Sequence, residues 1–444
     1  VKRATVAIVG RPNVGKSTLF NRIVGRRDAI VSEQPGVTRD RHFSPASWRG
    51  KHFWLVDTGG WVPGKGDAIT EAIRRHVERA IAEADLVLFV VDCREGLQPV
   101  DQEIAQILRP YGDRVILVAN KADELPDTTA HHAFHSLGLG EPIPVSAASG
   151  KGSGDLLDLV ASRLPEVSAP QDPGAINVAV VGRPNVGKSS IVNRLLGEER
   201  SIVTPEPGTT RDAIDSLLRY QGRALNFIDT AGLRRRSKVI DEIEFYSTLR
   251  TERAIERADV CVLVVDATLG FQSQDLRIAR RALEQGCGLV VAVNKWDLIA
   301  DKDAGTAARG ERAIKERAPE LQAIPFAYVS ALTGLRVRKI LDLVLSVAEQ
   351  RERRVATAEV NRLLRELVER NQPPQKGGRE IKLLYASQIG VAPPTFAVVT
   401  NRPDDIPESY RRYLLRGFRE AWGFAGVPIR IRFKKKRSKG ARRE

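Results

Sequence analysis

The 444-residue sequence contains no methionine and only three cysteines, six histidines and five tryptophans. Average usage would supply several methionines, yet the motif spacings described below are intact. Cys93, Cys261 and Cys287 are far apart in the sequence and lack metal-ligand spacing. Reduced, buried packing in a cytoplasmic protein is therefore expected, rather than a metal centre or a disulfide framework. His131 and His135 stand i,i+4 on a possible helix, with His132 between them. No cysteine or carboxylate completes a metal set there, so a solvated helix face is expected. No apolar run approaches the ~18 residues that a membrane span requires. Lys2 and Arg3 lead straight into the first motif, which leaves no expected room for a signal peptide.

Excess charge is also missing from most of the chain. Residues 1–350 carry 47 Lys+Arg against 45 Asp+Glu, whereas residues 351–444 carry 23 against 10. Nearly all of the net +15 is thus C-terminal. Basic charge gathered in one segment is the electrostatic footprint of a nucleic-acid partner.

What the chain does have, it has twice. Gly10-Arg11-Pro12-Asn13-Val14-Gly15-Lys16-Ser17 recurs 172 residues later as Gly182-Arg183-Pro184-Asn185-Val186-Gly187-Lys188-Ser189. Thr18 and Ser190 follow the two loops. Asp57-Thr58-Gly59-Gly60 recurs as Asp229-Thr230-Ala231-Gly232, Asn120-Lys121-Ala122-Asp123 as Asn294-Lys295-Trp296-Asp297, and Ser146-Ala147 as Ser330-Ala331. Short aliphatic runs at 6–9, 86–91 and 115–119 read as buried parallel strands. Ile69, Ile73, Val77 and Ile81 repeat every fourth residue on a helix between two of them. The alternation predicts an α/β doubly wound sheet in each copy, with ligands at the carboxyl ends of the strands. Five regions are expected: a first nucleotide domain at 1–164, a proline-rich linker at 165–175, a second nucleotide domain at 176–350, a small α+β domain at 351–434 and a basic tail at 435–444. Within the small domain the pattern reads helix (357–370), strand (381–386), strand (395–400), helix (409–422) and strand (427–433). In the last strand Ile429, Ile431 and Phe433 share one face, and Arg430, Arg432 and Lys434 the other.

The glycine-rich loops, each after a strand and before a helix, are built to cradle phosphates. Backbone N–H groups point inward, the helix N-terminus adds positive potential, and Lys16 or Lys188 reaches the β- and γ-phosphates. Base identity comes from Asn-Lys-x-Asp. The carboxylates of Asp123 and Asp297 can each accept two parallel hydrogen bonds from N1–H and the exocyclic amine of guanine, which adenine does not offer. Ser17 and Ser189 supply hydroxyls for Mg²⁺, and Asp57 and Asp229 hold it through its shell. Gly60 and Gly232 would bring a backbone N–H to the γ-phosphate. Thr38 and Thr210 lie in Pro-Gly-Val-Thr-Arg-Asp and Pro-Gly-Thr-Thr-Arg-Asp loops suited to contact Mg²⁺ and γ-phosphate, then to release on hydrolysis. Lys16, Thr38, Gly60 and their counterparts Lys188, Thr210 and Gly232 are the expected catalytic set.

These motifs, two complete sets followed by a small basic domain, resemble the Der/EngA GTPases, relatives of the Era class. The resemblance covers nearly the whole chain. It implies a bacterial GTPase assisting assembly of the large (50S) ribosomal subunit, with GTP/GDP and rRNA as partners. It also implies a KH-like C-terminal domain packed between the two G domains; a monomer is expected. Where Ras-like enzymes place a water-orienting glutamine, this chain has Trp61 and Leu233. Similar GTPases bind K⁺ through the loop asparagine, by position Asn13 and Asn185, so potassium-stimulated turnover is expected. Gly423-Phe424-Ala425-Gly426 matches the letters of a KH G-x-x-G clamp. Its apolar middle and its place between helix and strand instead suggest a helix C-cap with a hydrophobic contact. The cluster Arg234, Arg235, Arg236 and Lys238 could touch RNA or a neighbouring domain in one nucleotide state only. Other classes fit less well. A metabolic nucleotide kinase would need a second-substrate pocket, a membrane-associated or tRNA-modifying GTPase an anchor or catalytic cysteine, and a passive RNA scaffold no magnesium set.

Overall fold

The computed structural model describes residues 3–25, 43–57, 74, 77, 78, 80–122, 130–165, 174–198, 215–230, 243–300, 302–375 and 379–435. The chain divides into two compact units, Val1–Ala169 and Pro170–Glu444.

In the first unit the chain runs β1 (Ala4–Val9), α1 (Lys16–Val24), β2 (Phe43–Trp48), β3 (Lys51–Asp57), β4 (Leu86–Asp92), α2 (Pro99–Leu108), β5 (Val115–Asn120), β6 (Ile143–Pro144) and α3 (Ser153–Arg163). The strands form one sheet in the order β2-β3-β1-β4-β5-β6. Only β2 runs antiparallel to its neighbour. Strands covered by helices on both faces must be apolar at every position, and β4 and β5 are buried throughout. The period of two sends Val6 and Ile8 into one core and Ala7 and Val9 into another on the opposite face. Of the four isoleucine-spaced positions, Val77 and Ile81 are buried in that second core; Ile69 and Ile73 lie outside the described residues.

The second unit repeats this plan. It contains β7 (Ile176–Val181), α4 (Lys188–Glu198), β8 (Ser216–Tyr220), β9 (Arg223–Ile228), α5 (Ile243–Arg257), β10 (Val260–Asp266), α6 (Ser273–Gln285), β11 (Gly288–Asn294), α7 (Thr306–Arg317), β12 (Phe326–Tyr328) and α8 (Lys339–Glu352). The sheet order is β8-β9-β7-β10-β11-β12, the same as in the first copy. Cys261 and Cys287, distant in sequence, are both buried here as free thiols. Cys287 Sγ donates to the carbonyls of Ile255 and Ala258 at 3.2 and 3.3 Å.

Beyond α8 the order is α9 (Thr357–Arg370), β13 (Leu383–Gly390), β14 (Thr395–Thr400), α10 (Glu408–Trp422) and β15 (Arg430–Lys435), matching the expected succession with the bounds of the outer strands shifted by two to four residues. β13 pairs antiparallel with β14, and β14 parallel with β15. A parallel neighbour requires a crossover, which α10 supplies. The core here is aromatic: Phe396 lies 5.0 Å from Phe418 and 5.4 Å from Trp422, ring centre to ring centre.

Gly423 does cap α10, with φ of 76° and its N–H donated to Arg419 O at 2.8 Å, and Phe424 is fully buried. The same loop fastens the small domain to the second nucleotide domain. Gly426 accepts from Leu289 N–H at 2.7 Å and donates to Ala323 O at 2.7 Å, and Val427 enters the core around β7, β10 and α8. Arg351 at the end of α8 pairs with Asp259 at 2.5 Å. Arg430, expected on an open basic face, instead donates to Glu284 O at 2.6 Å, while Arg432 and Lys434 are exposed. Gly426 has φ of 76°, and a Cβ there would lie 2.4 Å from Val347 Cγ2 and 3.1 Å from Leu289 O. Replacing Gly426 with valine should therefore cost the second unit about 2–4 kcal/mol through strain and overpacking. Hydrogen exchange should show faster labelling at the Leu289 and Gly426 amides, with the first unit unchanged.

Candidate functional site

Between β1 and α1 the chain must turn back on itself within six residues. It does so through left-handed conformations at Asn13 (φ 65°) and Gly15 (φ 94°), matched by Asn185 (61°) and Gly187 (96°). Asparagine tolerates this region better than most residues, glycine best. Gly15 has a second reason. A Cβ there would sit 2.3 Å from Asn120 Nδ2, and one on Gly187 2.2 Å from Asn294 Nδ2. The helices then begin at Lys16 and Lys188, so unsatisfied N–H groups and the positive end of each dipole face the loop. Ser17 and Thr18 are exposed there, as is Ser190, and Ser189 is half-buried.

Lys16 Nζ donates to Gly10 O at 2.8 Å and Arg11 O at 2.7 Å; Lys188 repeats this with Gly182 O at 2.9 Å and Arg183 O at 2.7 Å. Burial lowers the pKa of Lys16 from 10.5 to about 8, against the opposing pull of Asp57 and with help from Arg11. Lys188 also falls to about 8, mainly by burial, with Asp275 pulling the other way. Among the described residues the hydrogen bonds of both ammonium groups go to carbonyl oxygens, an arrangement suited to accepting an anion.

The asparagine of Asn-Lys-x-Asp works through the protein. Asn120 Nδ2 donates to Val14 O at 2.8 Å while its Oδ1 accepts from Ala147 N–H at 3.0 Å. Asn294 does the same with Val186 O and Ala331 N–H, each at 2.9 Å. One buried amide thus ties the phosphate loop to the Ser-Ala loop. The lysines that follow adopt φ of 64° and 62°. Lys121 pairs with Asp92 and donates to Asn13 O at 3.0 Å, and Lys295 pairs with Asp266 at 2.5 Å. Ser146 and Ser330 are buried and cap their own turns, accepting from the N–H groups of Ser149 and Thr333 at 3.1 and 3.2 Å.

Asp57 is buried at the end of β3. Asp229 stands just past β9 with φ of 58°, and burial raises its pKa against the influence of Arg250 and Arg253. Asp297 Oδ1 is buried and has no hydrogen-bond partner among the described residues. Thr38, Thr58, Gly59, Gly60, Trp61, Asp123, Thr210, Ala231, Gly232, Leu233, Arg234, Arg235, Arg236 and Lys238 lie outside those residues. Of the histidine group, the rings of His131 and His132 lie 4.3 Å apart and those of His132 and His135 5.4 Å apart, both pairs tilted, on a 3₁₀ turn.

Several supporting residues escaped the motif reading. Arg11 reaches Asp101 at 3.5 Å and Glu95 at 2.6 Å; Arg183 holds Asp275 at 3.0 Å. Asp101 and Asp275 are fully buried and close capping boxes with Gln98 and Gln272. Arg22 on α1 donates to Ala147 O at 2.9 Å. A signal existed: Arg22, Asp92, Gln98 and Asp101 recur as Arg194, Asp266, Gln272 and Asp275 at the spacing of the neighbouring motifs.

Two doubly wound P-loop domains in tandem, each with the guanine-type Asn-Lys-x-Asp motif, and a small α+β domain place the chain among the P-loop GTPases. The family model described as 50S ribosome-binding GTPase matches residues 5–121 and again 177–295. The model described as KH-domain-like of EngA bacterial GTPase enzymes, C-terminal, matches 354–434. The chain belongs to the Der/EngA family. It is 55% identical to GTPase Der of Gemmatimonas aurantiaca over 98% of this chain and 99% of that one. It is 51% identical to GTPase Der of Desulforamulus reducens over 98% of each, and 49% identical to that of Moorella thermoacetica over 98% and 99%. Among the described residues no helix is long and apolar enough to cross a membrane.

The depressed lysines predict a proton linkage. Each folded pKa near 8 lies below the unfolded 10.5, so the empty protein gains stability as pH rises from about 8 to 10.5. Phosphate restores the charged form. GDP binding at pH 8.5 should therefore take up a fraction of a proton per site, shrinking towards zero by pH 7. Titration calorimetry in buffers of different ionisation enthalpy measures this directly.

Proposed function

We propose that the chain is a GTP-hydrolysing switch in assembly of the large ribosomal subunit, in which nucleotide state controls when the basic third domain docks on rRNA. The observation that carries the guanine reading is the buried, unpartnered Oδ1 of Asp297, on the residue chosen from the sequence to accept the N1–H and 2-amino donors. A buried carboxylate oxygen without a partner costs ~1–3 kcal/mol or more, and a guanine edge removes that cost whereas adenine does not.

The donor sets fit Mg²⁺, which prefers hard oxygen ligands. Ser17, Thr38 and Asp57 in the first copy, and Ser189, Thr210 and Asp229 in the second, would hold it directly or through water. Bound there, the ion neutralises charge on the β- and γ-oxygens. Lys16 and Lys188 exchange their carbonyl partners for phosphate oxygens, and the amides of Gly60 and Gly232 hold the γ-phosphate in line. Trp61 and Leu233 stand where a water-orienting glutamine would and cannot do that work. Asn13 and Asn185 would hold K⁺ beside the phosphates, supplying positive charge where other GTPases use an arginine. For docking, exposed Arg362, Arg365, Arg370, Arg412 and Arg416 join Arg432, Lys434 and Lys435 on the small domain. Such side chains neutralise phosphates and give salt-sensitive attachment.

Turnover should be faster in KCl than in NaCl at equal ionic strength; equal rates would remove the role of Asn13 and Asn185. Asp297→Asn should weaken GTP binding at the second site by at least ~100-fold and favour xanthosine triphosphate, whose 2-oxo group accepts from an amide. Competition binding with the two triphosphates reads this. Co-sedimentation with 30S, 50S and 70S particles, with GDP and with a non-hydrolysable GTP analogue, tests the ribosomal role. Nucleotide-dependent binding to 50S is expected, and nucleotide-independent binding to every particle would overturn it.

A further inference from the structure

The two copies part company at the end of the strand that carries the magnesium aspartate. In the first, pairing continues to the last residue: Phe43 opposes Val56, and Asp57 opposes Ile8. In the second, the ladders stop a step earlier, with Ser216 opposite Phe227 and Ile228 opposite Ala179. Asp229 then leaves the strand with φ of 58°, a conformation that a non-glycine residue holds only when its surroundings insist.

Those surroundings can be named. Asp229 N–H donates to Asp215 Oδ1 at 2.9 Å, and Asp215 Oδ2 is in turn ion-paired with Arg257 Nη2 at the end of α5. Beside this pair, the hydroxyls of Ser216 and Thr230 share a buried hydrogen bond of 2.8 Å. The first copy cannot build the arrangement. In register, Phe43 stands where Asp215 is and packs edge-on to Trp54, with ring centres 5.6 Å apart. Glu83 stands where Arg257 is, counting back from Asp85 and Asp259, which accept from the N–H of Thr5 and Asn177, the second residue of the first strand in each copy. Acceptor and cation are replaced together, one by a ring and the other by the opposite charge. Asp215 also closes the segment containing Thr210, and Arg257 ends the helix that follows the segment containing Gly232.

We propose that Asp215 and Arg257 form a positioning clamp, present only in the second GTPase copy, that fixes Asp229 for Mg²⁺-dependent GTP binding. This rests on the reading of Asp229 as the magnesium aspartate. The two sites then answer differently to the same magnesium and GTP concentrations, because only one has this support.

The test uses the full chain carrying Lys16→Ala, which silences the first site, and follows a fluorescent GTP analogue at the second. Asp215→Ala should raise the Mg²⁺ concentration for half-maximal binding about 10-fold, the usual effect of removing a group that orients a metal ligand, and leave affinity in EDTA unchanged. Arg257→Gln, which keeps the Asp215 carboxylate, and Asp215→Asn, which keeps a neutral acceptor, should shift the midpoint less, in the same direction. They also carry the test should the alanine variant fold poorly. An unshifted midpoint overturns the clamp, and so does an equal loss of affinity in EDTA, which marks a structural role only. A parent protein without magnesium-dependent GTP binding at this site would instead overturn the reading of Asp229 itself.

Discussion

The nucleotide sites depend on one buried side-chain amide in each copy. Asn120 and Asn294 each give Nδ2 to the phosphate loop and Oδ1 to the Ser-Ala loop, and both bonds are shielded from water. Leaving either loop group unpaired in such a place costs ~1–3 kcal/mol. The amide therefore fixes how far the phosphate loop lies from the Ser-Ala loop. It also explains Gly15 and Gly187, whose missing Cβ atoms leave room for Nδ2. Moving either loop would break a bond that water cannot replace.

Around that amide the chain has built the same supports twice. Each phosphate-loop arginine leans on a fully buried aspartate, and each Asn-Lys lysine pairs with the aspartate ending the central strand. Repetition under independent sequence drift separates what the pocket needs from what it tolerates. Where the copies differ, at Phe43 against Asp215 and Glu83 against Arg257, the difference involves interacting positions rather than scattered ones.

The third domain is joined to the second copy by backbone as well as side chains. The loop whose letters match a KH clamp is occupied in that joint, with Phe424 and Val427 buried and Gly426 bonded on both sides. The nucleic-acid contact proposed for this domain therefore falls to its exposed arginines and lysines. Strand β11 carries the joint at Leu289 near one end and the asparagine amide of the pocket at Asn294 at the other.

Much of this was legible in the residues. Unbroken β-branched runs can only be strands buried on both faces, and the glycine loops and Asn-Lys-x-Asp repeats carry their chemistry in their letters. The five elements of the small domain followed from apolar periodicity, and Gly423 from its place after Trp422. Periodicity could not say that Asn120 ties the phosphate loop to the Ser-Ala loop, that Arg430 is used in the joint, or that Asp101 and Asp275 are fully buried. Nor could it say that Asp229 turns left-handed where Asp57 does not. Sequence by itself determined element type, copy number and ligand class, because those rest on short-range sterics, period and local backbone chemistry. The tertiary structure decided which polar groups satisfy one another. Hydrogen-bond pairing between residues a hundred positions apart depends on angstrom-scale distances that only the packed sheet sets.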